Sequence, residues 1–183
     1  MNVPSTMQEY WKIFLRFLKD SPDTNKVLYG YRQFRLNNRK LYSLTRSYIW
    51  EPEIISEAKC SGVESKNSIH IDNRYCECGL YAYSSLENLF FDREFKNVIG
   101  RVCMWGKIVE HDTGYRSQFA YPDGLYRLDK AKLTSRASKS IAVYYKNNET
   151  ISDLCANYGI EIFEFPDKFY DLLNQQGGMF FPR

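Results

Sequence analysis

The stretch from Val98 to Glu110 commits this chain to a sheet. It strings Val, Ile, Val, Cys, Met, Trp, Ile and Val through thirteen residues, the β-branched and aromatic composition that fits a pleated, half-buried surface. Gly100 and Gly106 inside it predict bends or close backbone approach. His111-Asp112-Thr113-Gly114 predicts a turn, and Tyr115 to Tyr121 predicts the strand that pairs back, so Val98 to Tyr121 reads as a hairpin in the middle of a sheet.

Shorter elements group around that hairpin. Ser5 and Gln8 fit a capping box, and Tyr10, Trp11, Phe14, Leu15, Phe17 and Leu18 recur at helical spacing, which predicts a helix over 5–19. Two strands with a tight turn at Asn37-Asn38 predict a hairpin over 27–47, with cations on both faces, which should project or lie across a partner. Pro52 followed by Glu53, Ile54, Ile55 and Ala58 predicts a short helix ending near Cys60, and Ser61 to Asn73 a polar loop. A strand over Cys76–Tyr83, a helix capped by Ser84 and Glu87, a strand over Ile141–Tyr145, a helix from Thr150 to Gly159, a strand over Ile160–Phe165 and a last helical turn or two follow. The expected fold is α+β: a central antiparallel sheet with flanking short helices, an N-terminal helix and a basic N-terminal hairpin, in a single domain over 1–183 with its sheet core at 70–165. No apolar run reaches the twenty or so residues of a membrane span and the N-terminus lacks the order of a secretory signal, so a cytoplasmic protein without membrane contact is expected. Five cysteines, an odd number, do not read as a disulfide scaffold.

Charge is placed rather than spread. From Lys26 to Trp50 there is no carboxylate, while Lys26, Arg32, Arg35, Arg39, Lys40 and Arg46 are interleaved with Tyr29, Tyr31, Phe34, Tyr42, Tyr48 and Trp50. The chain as a whole is +3, so the remainder carries −3. Cations that offset phosphate charge beside rings that stack on unpaired bases suit single-stranded or looped nucleic acid. Arg32, Arg35, Arg39, Lys40, Arg46, Tyr31 and Phe34 are the RNA-binding candidates; a solvated hairpin with half-buried tyrosines is the other reading of the same residues.

Two further groups carry chemistry. Cys60, His70, Cys76 and Cys78 supply four soft ligands within nineteen residues, enough for a structural tetrahedral Zn²⁺, with buried free thiols as the alternative. Glu110, His111, Tyr115 and Arg116 surround the central turn with a residue titrating near neutrality, a carboxylate to orient it and an Arg for a scissile phosphate. Ribonucleolytic cleavage, in which the RNA 2′-hydroxyl attacks, needs little more than that set, and a two-histidine acid-base pair would also use His70, in competition with its role as a metal ligand; the alternative is a turn satisfied by its own hydrogen bonds. Phosphate-binding, dinucleotide-binding and nucleophile-elbow motifs are absent from the sequence.

Gly30-Tyr31-Arg32, Trp50, Cys60, His70, the run from Cys76 to Ala82, the run from Gly100 to Gly106 and the turn from Glu110 to Arg116 together resemble a family of small bacterial and mobile-element proteins, over about residues 28 to 128. The chain departs from that pattern at Glu53, where Gly is expected after Trp-x-Pro. In size, basic hairpin and composition the chain is also similar to type II-A anti-CRISPR proteins of streptococcal mobile elements. That resemblance implies an inhibitor of Cas9 that engages guide RNA and promotes its truncation, whether or not the chain itself is ribonuclease-like. The alternatives are a non-catalytic, zinc-stabilised nucleic-acid-binding module and a protein-only inhibitor acting by mimicry.

Overall fold

The computed structural model of the chain describes residues 27–44, 48–60, 76, 78–92, 98–135, 137 and 148–176. The expected helix over 5–19, the expected strand over Ile141–Tyr145, and Arg46 and His70 lie outside these residues. The protein is a mixed α/β structure with one large sheet and few short helices. Its strands are β1 (Leu28–Asn37), β2 (Lys40–Tyr42), β3 (Ile49–Trp50), β4 (Ser56–Glu57), β5 (Leu80–Tyr83), β6 (Val98–His111), β7 (Gly114–Arg127) and β8 (Glu161–Glu164). Among the described residues the α-helices include α1 (Leu86–Asp92), α2 (Asn148–Tyr158) and α3 (Tyr170–Gln176).

The β6–β7 hairpin organises the rest. β1 pairs antiparallel with β6 from Leu28↔Met104 to Phe34↔Val98, and β5 pairs antiparallel with β7 from Leu80↔Ser117 to Tyr83↔Gly114. One further pairing, Tyr31 with Tyr83, joins β5 to β1. Four strands therefore form a closed circuit, β1–β6–β7–β5. The long strands bend to allow it: Gly106 has φ 78 beside a register shift between Trp105 and Ile108, the bulge its glycine predicted. A second irregularity at Arg101/Val102 lies opposite Pro122, so β7 continues through that proline to Arg127 instead of ending at Tyr121. The missing N–H of proline is tolerated at a bulge.

The sheet is not wholly antiparallel. β8 runs parallel to β7, and parallel neighbours need a long crossover, which includes α2 and ends at Gly159 with φ 62. Nor does the segment after Pro52 form a helix. Glu53 takes φ 61 and donates its N–H to the Tyr121 hydroxyl at 2.9 Å, after which Ser56 and Glu57 pair with Ala120 and Phe119 as β4. Ile54, read as one of the helix's apolar positions, is 60% exposed. On the other side of the polar segment, regular strand begins only at Leu80, not at Cys76.

Phe34, Leu41 and Trp50 from β1, β2 and β3 are fully buried, with the Phe34 and Trp50 rings edge-to-face at 5.4 Å. Burial of each such side chain stabilises the fold by about 1.5–3 kcal/mol. Tyr158, also fully buried at the end of α2, ties this corner together: its hydroxyl accepts from the Leu41 N–H at 2.9 Å and donates to the Trp50 carbonyl. A second aromatic group, Phe90, Phe165, Phe169 and Tyr170, packs α1 and α3 together. β1 is thus an integral strand of the sheet as far as Phe34, with Gln33 and Phe34 both buried, and from Arg35 to Asn37 it pairs with β2.

Candidate functional site

Three of the four expected metal ligands converge. The Sγ atoms of Cys60, Cys76 and Cys78 all lie within 4.8 Å of one another, Cys60 and Cys76 at 3.5 Å, and none of the three is in a disulfide. Cys60 follows β4 and Cys76 and Cys78 precede β5, so the edge of β7 brings them together. Three cysteines so arranged could hold a metal ion. The Cys76 thiol is held below its usual range, first by a hydrogen bond from the Cys78 backbone, then by Cys78 and Cys60 side chains and the Arg116 cation.

Arg116 belongs to this group. Its guanidinium donates to the Cys76 carbonyl at 2.5 Å and reaches the Tyr81 hydroxyl at 3.5 Å, and the side chain is buried. Gly79, with φ +138, leaves the space through which the Arg116 stem passes; a Cβ there would collide with Cγ and Cδ.

The proposed acid-base set is divided by the same geometry. Glu110 pairs with Tyr115 and Val109 with Arg116 across β6 and β7. Successive residues on a strand face opposite ways, so Glu110 and Tyr115 share one face while His111 and Arg116 lie on the other. Glu110 and His111 are exposed at the hairpin tip, and Arg116 is buried against the thiols.

The basic segment is sorted by the fold. Lys40 forms an ion pair with Glu51 at 2.8 Å, a carboxylate one residue beyond the acid-free run. Arg32 stacks its guanidinium over Trp50 at 4.6 Å and donates to Ser43 Oγ at 3.2 Å, a packed role. Phe34 is fully buried and offers no ring to a base, which removes it from the RNA-binding candidates. Tyr31 is half-buried, its ring 6.4 Å from that of Tyr126. Arg35, over the Tyr42 ring at 5.5 Å, and Arg39, at the hairpin tip, are exposed. Asn38 and Arg39, the central residues of the turn closed by Asn37↔Lys40, have φ 47 and 56.

One cluster was not foreseen. Arg101 donates Nε to Asp123 at 2.5 Å and lies between the rings of Tyr29 at 4.8 Å and Phe163 at 4.3 Å. Cys103 donates to the same carboxylate at 3.4 Å, and burial, then Asp123, push its thiol far up. Its residues come from four strands, and only the pairing register announces it. Among the described residues no helix is long and apolar enough to cross a membrane. No protein-family model matches the chain, and no curated protein or solved structure matches it either.

Proposed function

We propose that the protein binds single-stranded or looped RNA through the tip of the β1–β2 hairpin and does not cleave it. The observation that supports this is the backbone of Arg39. At φ 56 it occupies a turn position that favours glycine, next to Asn38 at φ 47. A non-glycine residue costs about 1–2 kcal/mol there, and strain of this kind marks positions where the side chain serves something other than the fold. Arg39 and Arg35 present their charge at the surface, Arg35 over the Tyr42 ring, a phosphate-and-stacking combination.

Applied to the anti-CRISPR expectation, the hairpin tip meets the guide RNA, free or held by Cas9. Any truncation of the guide is then the work of a nuclease other than this chain, in keeping with the division of Glu110, His111, Tyr115 and Arg116 between two faces. The thiol cluster enters this reading as scaffold, with zinc in a structural role. The test is binding of labelled guide RNA, with and without Cas9, across a salt series, comparing the parent with Arg35→Ala/Arg39→Ala. Each lost phosphate contact lowers the logarithmic salt slope by about 0.7 on single strands. Equal affinity and equal slope in the two proteins would refute the proposal.

A further inference from the structure

Ala58 donates its N–H to Gln118 O at 2.8 Å, and Leu80 pairs with the next residue of β7, Ser117. β4 and β5 therefore lie in line along one edge of β7, and the chain leaves and returns between them. Cys60 stands two residues outside the departure and Cys78 two residues before the return, with Cys76 beside them, so the three thiols meet at the neck of the excursion.

We propose that this neck is a metal clamp: Cys60, Cys76 and Cys78 bind one Zn²⁺ as thiolates and fasten β4 to β5, the two halves of an interrupted strand beside β7. Tetrahedral zinc with Zn–S bonds of about 2.3 Å places its sulfurs about 3.8 Å apart. The observed sulfurs, 3.5 Å apart for Cys60 and Cys76 and all within 4.8 Å, already bracket that value. Each thiol gives its proton to solvent as its sulfur donates an electron pair to the ion, and no electron is transferred. Zn²⁺ with three thiolates carries one negative charge, and the Arg116 guanidinium, fixed on the Cys76 carbonyl, supplies the opposite one. Such an outer partner orients a ligand and tunes the metal. Cys60 and Cys76 are half-buried, so an ion can enter from solvent, and the fourth position is left to a ligand beyond these three.

The test uses the full-length protein, reduced and stripped by a chelator, then titrated with Co²⁺ and with Zn²⁺. One equivalent of Co²⁺ should bind with release of protons and with thiolate-to-cobalt charge-transfer absorption, and Zn²⁺ should then displace it without further proton release. Amide exchange at Ala58 and Leu80 should slow on zinc binding, a readout that needs no RNA and leaves the RNA reading untouched. Cys60→Ser, Cys76→Ser and Cys78→Ser should each weaken zinc binding by more than the roughly 100-fold that an outer partner commands. Cys155→Ser, on α2, should bind as the parent does. Should a serine variant fail to fold, the parent's metal titration and exchange data decide alone. The proposal is overturned if the reduced parent shows no charge-transfer band and retains no zinc, if Cys60 and Cys76 instead pair as a disulfide that leaves no metal affinity, or if zinc follows Cys155.

Discussion

Replacing Arg39 by glycine should make the protein more stable and a weaker RNA binder at once. The backbone at residue 39 has φ 56, and an L side chain there costs about 1–2 kcal/mol. Glycine removes that strain but gives the unfolded chain more freedom, worth about 0.4–1 kcal/mol. The net expectation is a gain of about 0.5–1 kcal/mol, read as a higher urea midpoint at unchanged m-value. The same change deletes one exposed cation, so the salt slope for single-stranded RNA should fall by about 0.7. Arg39→Gln separates the effects, since it keeps the strain and removes the charge: stability should stay put and binding should fall as in the glycine variant. A glycine variant no more stable than the parent refutes the strain argument. One that is stabilised yet binds RNA with parental affinity and slope refutes the functional reading of that strain.

Tyr158→Phe should cost about 2–4 kcal/mol in denaturant unfolding, because the Leu41 N–H and the Trp50 carbonyl both lose their hydroxyl partner inside the core; a loss below about 1 kcal/mol would show that they find other partners. Alkaline pH should destabilise the fold. Burial, with Tyr31 as the next contributor, raises the Tyr126 phenol to about 12, and burial also raises Tyr158 and Tyr170. These phenols ionise near 10 in the unfolded chain, so their contribution is whole below pH 10 and is lost as pH rises toward 12, about 2 kcal/mol for Tyr126 alone; Tyr126→Phe should flatten the fall in urea midpoint across that window. His111→Ala should leave guide-RNA binding and any truncation in the presence of Cas9 unchanged. A loss of truncation of about 100-fold or more with binding intact would restore the acid-base reading.

How far the fold could be read in advance depended on how local its causes are. The β6–β7 hairpin was legible because its strand composition and its turn lie within one stretch of chain. The end of α2 was legible because Gly159 marks it. β4 was not, since a two-residue edge strand leaves no period to detect, and Ile54, Ile55 and Ala58 imitate helical spacing. The same division runs through the candidate site. Three thiols close in sequence announced themselves, but Arg116 was assigned to the neighbours it has along the chain, while strand alternation turns it toward Cys76 and away from Tyr115. Lys40 looked unneutralised because its partner, Glu51, stands just past the acid-free run. Phe34 looked available because the strand had no clean core face on paper, and pairing with Val98 put it inside.

The collinearity of β4 and β5 makes residues 59–79 a cassette. Ala58 and Leu80 face consecutive residues of β7, so a chain cut after Ala58 and rejoined at Leu80 would run on along the same side of β7 without a gap in the pairing, while the two buried side chains, now adjacent, would need a bulge to stay inside together. The length of the excursion is thereby uncoupled from the frame that carries it. A change in the number of residues between Cys60 and Cys76 should therefore leave the pairing of β4 and β5 with β7 in place.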